Sequence, residues 1–105
     1  MKVVHNKLVR DKIVQIIEVG GKCANYSTLS DEEYLQALVM KDQEELKELL
    51  EASDNVKEEL ADKLEVLLAM ITYYGYDFED IIELASEKRE QRGGFDKGIF
   101  LIDVE

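Results

Sequence analysis

The stretch EELKELLEASDNVKEELAD, residues 44–62, decides the fold. It holds two pairs of acidic residues three positions apart, Glu45/Glu48 and Glu59/Asp62, separated by the turn-forming Ser53-Asp54-Asn55. Residues three apart share one face of a helix, so each pair can present two carboxylates from one side. The stretch therefore predicts a helical hairpin across which the two pairs face each other.

Four convergent carboxylates would make a cluster of hard oxygen ligands, which suits Mg²⁺ or Mn²⁺. The spacing alone is weak evidence, because a chain with 24 acidic residues among 105 contains several such pairs by chance. The leucine pattern of the first helix strengthens it: Asp42 falls within the apolar stripe and Glu45 on its edge, where unpaired charges would be costly. These carboxylates need a partner, and a cation would supply it.

The hydrophobic periodicity of the remaining sequence predicts an all-α fold, a four-helix bundle-type subunit built as one domain over residues 1–105. Capping residues and glycines set the predicted ends of the helices. The predicted helices run over residues 6–19 with Asn6 as N-cap, from a Ser30/Glu33 capping box to about Glu51, from an Asn55/Glu58 capping box to about Tyr74, and from an Asp77 cap to Arg92.

The third predicted helix is apolar on nearly every side. Leu60, Leu64 and Leu67 form one stripe, and Val66 and Met70 continue the opposite side. A chain of 105 residues has little material to cover such a helix completely. We therefore expect a partner subunit, with a fully internal helix as the alternative.

Two features near the C-terminus allow further predictions. The apolar run of residues 99–102 is typical of a short strand and is expected to pair with residues 2–4. Lys88 and Arg92 lie four apart in the last turns of the fourth helix, where they complement the helix dipole or bind phosphate. Beside a carboxylate cluster, such basic residues suit a metal-bound polyphosphate.

Composition narrows the classes of function. The net charge of −11 repels nucleic-acid backbones, and no apolar run is long enough to span a bilayer. The single Cys23 cannot form an internal disulfide, and the N-terminus lacks the pattern of a secretion signal. We expect a cytoplasmic protein that binds neither nucleic acid nor membranes.

Three separated stretches resemble the MazG-like all-α nucleoside triphosphate pyrophosphohydrolases, in particular their small phosphoribosyl-ATP pyrophosphohydrolase-like members. They are NKLVRDKI at residues 6–13, the acidic pair EELKE and EELAD, and KREQRGGF at residues 88–95. Two departures stand out: Val14 replaces an expected proline, and Lys63 follows Asp62 where an aliphatic residue is usual. Lys63 is expected to point away from the site, because the next residue lies about 100° round the helix.

The resemblance implies that the protein assembles as a homodimer or homotetramer. It also implies hydrolysis of a nucleoside triphosphate between its α and β phosphates, giving the monophosphate and pyrophosphate. The implied site residues are the Mg²⁺ ligands Glu45, Glu48, Glu59 and Asp62, the phosphate-binding Lys88 and Arg92, and the substrate-approaching Lys7, Arg10 and Lys12.

In the expected mechanism, one or two Mg²⁺ ions neutralise phosphate charge and activate water. A glutamate takes the proton, either Glu45 or Glu48. Glu45 is preferred because burial at the edge of the apolar stripe would raise its pKa. House-cleaning of non-canonical nucleotides is the favoured role. The alternatives are phosphoribosyl-ATP hydrolysis in histidine biosynthesis and a non-enzymatic helical interaction module.

Overall fold

A computed structural model describes residues 2–105 and confirms the all-α fold. These residues contain four helices and no strand. The predicted pairing of residues 99–102 with residues 2–4 is therefore wrong. Both segments are exposed, and two isolated short strands lack the covering layer that would stabilise them. The helices are α1 (Ile13–Val19), α2 (Asp31–Glu51), α3 (Val56–Tyr73) and α4 (Phe78–Arg92).

Helix α1 begins later than predicted. Asn6 has a φ of 46°, in the left-handed region, and the residues that follow it up to Lys12 are not helical. Lys12 takes the N-cap position, and residues 2–12 form an irregular segment that leads into the helix. The apolar residues of this segment match helical spacing without being helical.

Helix α2 begins as predicted with a complete capping box. The Ser30 hydroxyl accepts a hydrogen bond from the Glu33 backbone N–H, and the Glu33 carboxylate accepts one from the Ser30 backbone N–H. Hydrogen bonding to Ser30 lowers the pKa of Glu33. This reciprocal pairing satisfies two backbone donors that the first turn would otherwise leave free.

Helices α3 and α4 start after the predicted residues but without the predicted caps. The Asn55 side chain makes no cap hydrogen bond; its amide donates to Glu59 Oε1 at 3.0 Å, so the expected capping box with Glu58 is absent. Asp77 occupies the N-cap position of α4 in extended conformation, also without a side-chain cap bond. Gly93 ends α4 with a φ of 82°, a conformation that favours glycine.

Helices α2 and α3 form the hairpin that the sequence predicts. They make the main helix–helix contact of residues 2–105, whereas α4 packs more lightly on α3 and α1 contacts no other helix comparably. Leu38 of α2 and Val66 and Ile71 of α3 are buried, and the rings of Tyr34 and Tyr73 lie 6.1 Å apart. Across the part of the chain that the structure covers, no helix has both the length and the apolar character needed to cross a bilayer.

A single chain does not close the bundle into one compact core. Its radius of gyration is 18.2 Å, whereas a compact domain of this length has about 13 Å. Its accessible surface is 9789 Å², against about 6000 Å² for a compact monomer of this mass. Leu60, Leu64 and Leu67, which we call the leucine face, are 45–52% exposed. The residues of α3 with partners on α2, among them Lys63 and Tyr73, lie on a different side of the helix.

Candidate metal centre

The hairpin brings three of the four predicted metal ligands together. Glu45 and Glu48 project from α2 and Glu59 from α3, and one carboxylate oxygen of each lies within 4.8 Å of the others. The antiparallel pairing of the helices achieves this, because Asn55 places the start of α3 opposite the last turns of α2. We call Glu45, Glu48 and Glu59 the carboxylate cluster.

Glu45 is the buried member of the cluster. Its residue is 5% exposed, and its Oε2 atom has no hydrogen-bond partner among residues 2–105. Its Oε1 atom lies 3.4 Å from the Lys41 ammonium one turn earlier. Burial raises the pKa of Glu45 and the neighbouring Glu48 charge raises it further, although Lys41 acts in the opposite direction. A buried carboxylate with a free oxygen favours a cation beside it.

Glu59 and Glu48 complete the cluster from opposite sides. The Asn55 amide holds Glu59 Oε1, while Glu59 Oε2 is buried and has no partner in the described chain. Glu48 is exposed and forms the open edge of the cluster. The cluster therefore has two free buried oxygens inside and one accessible carboxylate at its entrance.

Asp62, the fourth predicted ligand, lies outside the cluster. Its Oδ1 atom accepts a hydrogen bond from the Arg10 guanidinium at 2.7 Å, a contact between residues 52 positions apart. The prediction that all four carboxylates converge is therefore wrong for Asp62 in this structure. The cause is a basic partner that the spacing of the acidic motifs does not reveal.

Asp42 also has a partner other than a cation site. The Lys63 ammonium crosses from α3 and pairs with Asp42 Oδ1, and both side chains are partly buried. The sequence predicts that Lys63 points away from the site; it turns toward α2, where its ammonium pairs with Asp42, a residue outside the carboxylate cluster. The interpretation of Asp42 as support for a metal is corrected: this carboxylate forms an ion pair that links the hairpin.

The predicted basic residues divide into two groups. Lys7 lies 3.5 Å from Glu44, and Arg10 contacts Asp62, so both reach the acidic side of the hairpin. Lys12 sits at the start of α1, and Lys88 and Arg92 are exposed on the last turns of α4. None of these last three makes an ion pair within residues 2–105.

Sequence reasoning missed Lys41. Its ammonium lies 3.4 Å from both Glu44 and Glu45, and its side chain is only 18% exposed. The spacing of three and four residues on one helix could have identified these contacts. Lys41 lowers the repulsion at the inner side of the cluster without reaching Glu45 Oε2.

The donor set of the cluster fits Mg²⁺ or Mn²⁺. Three carboxylates supply oxygen ligands only, the chemistry these hard cations prefer. The buried, unpartnered oxygens of Glu45 and Glu59 are a second, independent observation that suits a cation at this cluster. Two shallow surface concavities, on the outer side of α2 around Leu46 and beside α1 around Ile16, are not lined by these carboxylates.

Comparisons with known proteins add no family assignment. No protein-family model matches the chain, and neither a curated protein nor a solved structure matches it. The resemblance to MazG-like proteins therefore rests on the three sequence stretches alone.

Proposed function

We propose that the protein is a Mg²⁺-dependent nucleoside triphosphate pyrophosphohydrolase of the MazG-like class. The observation that carries the proposal is the buried Glu45, which has an unpartnered Oε2 atom and lies in one carboxylate cluster with Glu48 of the same helix and Glu59 of α3. A solvated acidic face would not bury one of its carboxylates beside two others. The sequence resemblance supplies the class of reaction.

In this proposal Glu45, Glu48 and Glu59 hold the cation. Bound there, Mg²⁺ would supply neutralisation of phosphate charge and activation of water. Asp62 lies one helical turn from Glu59. In this proposal it can bind the cation only when its ion pair with Arg10 is broken. The proposed cation is Mg²⁺, and Mn²⁺ could replace it because both cations prefer oxygen ligands.

Glu45 is the residue best suited to accept a proton. Burial raises the pKa of its carboxyl group, and its Oε2 atom has no partner in the described chain, so this oxygen is available to accept a proton. Water would attack the α phosphorus and pass a proton to Glu45 Oε2, while the bond between the α phosphorus and the bridging oxygen breaks. Pyrophosphate leaves, and a nucleoside monophosphate remains.

Positive charge for the phosphates is available on the same side of the hairpin. Lys7 and Arg10 already lie against Glu44 and Asp62. Lys88 and Arg92 carry exposed, unpaired charges in the described chain and can serve a substrate shared with a second copy. An acidic protein with a net charge of −11 needs such local charge to hold a polyphosphate.

We include self-association in the proposal. One chain exposes about 3800 Å² more surface than a compact monomer of its mass, and its leucine face has no cover among residues 2–105. Obligate interfaces bury about 2000–5000 Å² in total, or about 1000–2500 Å² per partner, so one interface in a homodimer would cover part of this surface and the further interfaces of a homotetramer would cover more of it. The nucleotide pocket would then be completed by residues of a second copy.

Pyrophosphate release tests the function. Canonical, deoxy and oxidised nucleoside triphosphates, with phosphoribosyl-ATP beside them, are offered to the protein with and without Mg²⁺. We expect Mg²⁺-dependent release from at least one nucleotide, reduced at least a hundredfold in Glu48→Ala, since a lost ligand removes transition-state stabilisation.

Glu51→Ala is the matched control. Glu51 is an exposed glutamate on the same helix, one turn beyond Glu48 and outside the cluster. Release should be unchanged in this variant. Release that ignores Mg²⁺, or that is equal in the two variants, contradicts the metal assignment. No release from any substrate would favour the interaction-module alternative.

A further inference from the structure

The N-terminal segment supplies a cation to one of the predicted metal ligands. Arg10 lies in the irregular residues 2–12, which contain no helix and belong to no helix–helix contact. Its guanidinium donates to Asp62 Oδ1 at 2.7 Å, while Asp62 stands one helical turn beyond Glu59 of the carboxylate cluster. The guanidinium thus neutralises a carboxylate beside the cluster.

We infer that Arg10 is an exchangeable counter-ion of the metal centre: it holds Asp62 when no metal is bound, and releases it to the metal and turns to the substrate phosphates when metal and nucleotide bind. This inference rests on the proposed metal centre. Arg10 is thereby a positioning residue for Asp62, a role that the spacing of the acidic motifs does not predict.

The strength of the ion pair suits an exchange. Both partners are exposed to water, Arg10 by 56% and Asp62 by 39% of the side chain, and exposed ion pairs are weak because water screens them. A divalent cation carries twice the charge and can displace such a partner. Guanidinium also binds phosphate oxygens in a bidentate fashion, so the released Arg10 has a better acceptor close by.

The second basic residue of the segment provides an internal comparison. Lys7 carries the same charge and lies 3.5 Å from Glu44, which is not a member of the cluster. Loss of the Lys7 charge alters the electrostatic potential near the cluster without freeing a predicted ligand. If Arg10 competes with the cation for Asp62, loss of the Arg10 charge should therefore change metal binding more than loss of the Lys7 charge.

Mn²⁺ binding to the nucleotide-free protein tests the exchange, with free Mn²⁺ followed by electron paramagnetic resonance. We expect Arg10→Gln to bind Mn²⁺ about two- to fivefold more tightly than the unaltered protein, the range that one exposed ion pair allows. Lys7→Gln should change the affinity less, and Arg10→Lys should stay close to the unaltered protein. Circular dichroism checks that each variant remains helical.

A second titration follows Arg10 to the phosphates. At saturating Mn²⁺, inorganic tripolyphosphate should bind Arg10→Gln about tenfold more weakly, because a charge-assisted hydrogen bond is lost. The variant would then bind the metal better and the polyphosphate worse. A purely structural role for Arg10 would not move the two affinities in opposite directions.

The outcomes separate the inference from the proposed function. The exchange is contradicted if Arg10→Gln and Lys7→Gln bind Mn²⁺ equally well, or if Arg10→Gln binds it more weakly than the unaltered protein. Neither result contradicts the proposed metal centre. Absence of Mn²⁺ binding by the unaltered protein at millimolar concentration overturns both. Tighter Mn²⁺ binding confined to Arg10→Gln, with weaker tripolyphosphate binding, supports the exchange.

Discussion

At the scale of single residues, the buried carboxylate of Glu45 lowers the stability of the fold and is also central to the proposed metal site. Its carboxylate is buried, and one of its oxygens has no partner in residues 2–105. Lys41 offsets part of the charge from one side only. A buried carboxylate oxygen without a partner is costly, and the proposed divalent cation would offset that cost.

Glu45→Gln should stabilise the metal-free protein at neutral pH by about 1 kcal/mol, or roughly 4–8 °C in melting temperature, because it removes a buried charge. The pKa of Glu45 in the folded chain is raised above its ordinary value of 4.5. Its charge therefore costs stability above the folded pKa and costs none below 4.5, where the group is protonated in both states. The gain should disappear as the pH falls through that interval.

Thermal unfolding in a chelator, from pH 4 to pH 8, measures the effect. Glu44→Gln is the control, because Glu44 is partly exposed and has two lysine partners, Lys7 and Lys41. It should give no gain. An equal gain in both variants, or a gain that persists in acid, would show that burial of the Glu45 charge is not the cause.

At the scale of elements, the α2–α3 hairpin is linked by polar contacts as well as by its apolar core. The Lys63–Asp42 ion pair crosses between the helices three residues from Glu45, and the Asn55–Glu59 hydrogen bond orders the start of α3. The ion pair joins the two helices one turn from Glu45, and the hydrogen bond orients the Glu59 carboxylate. The geometry of the carboxylate cluster therefore depends on residues outside it.

A double-mutant cycle with Asp42→Ala and Lys63→Met should give a coupling of about 0.5–1 kcal/mol, because both side chains are only partly buried. Urea unfolding of the single and double variants provides the four free energies of unfolding. The coupling should shrink in high salt, which screens partly exposed charges. Additive single effects would show that the pair contributes no stability.

The sequence predicts contacts between residues that are close along the chain and misses contacts between residues that are far apart along it. The capping box of α2 lies within four residues, and the sequence identifies it correctly. The Arg10–Asp62 and Lys63–Asp42 pairs join residues 52 and 21 positions apart, and no spacing rule reaches across such separations. The predicted start of α1 is wrong for a different reason, because the spacing of apolar residues does not reveal the left-handed backbone at Asn6.

The predicted metal ligands follow the same division. The spacing of the acidic pairs places Glu45, Glu48 and Glu59 correctly, because one hairpin turn relates them. Asp62 satisfies the same spacing but is taken by a cation from the N-terminal segment. Sequence periodicity determines which face of a helix a residue shares, and the choice between two partners depends on the folded chain.

At the scale of the whole molecule, the leucine face is the surface on which we expect self-association to depend. Leu60, Leu64 and Leu67 form an exposed apolar stripe on α3. An apolar surface of this extent on a small chain is typical of an interface between subunits. We expect a second copy to cover the stripe of one chain with its own.

Leu64→Glu should convert the assembled protein into monomers of 12.1 kDa, because it places a charge in the centre of the leucine face. Size-exclusion chromatography with light scattering measures the mass, which we expect to be a multiple of 12.1 kDa before the change. Leu84→Glu, at a 49% exposed leucine of α4, is the matched control and should leave the mass unchanged. A monomeric unaltered protein would contradict this prediction.

The small buried core of the single chain has a consequence for how the protein responds to dilution. Only Leu38, Val66 and Ile71 are buried apolar residues among those described, so a single chain gains little stability from apolar burial. Association should then add to the stability of the fold, and the law of mass action would couple that stability to protein concentration. A hundredfold dilution of a dimer would lower its melting temperature even though every covalent bond and every solvent condition stayed the same.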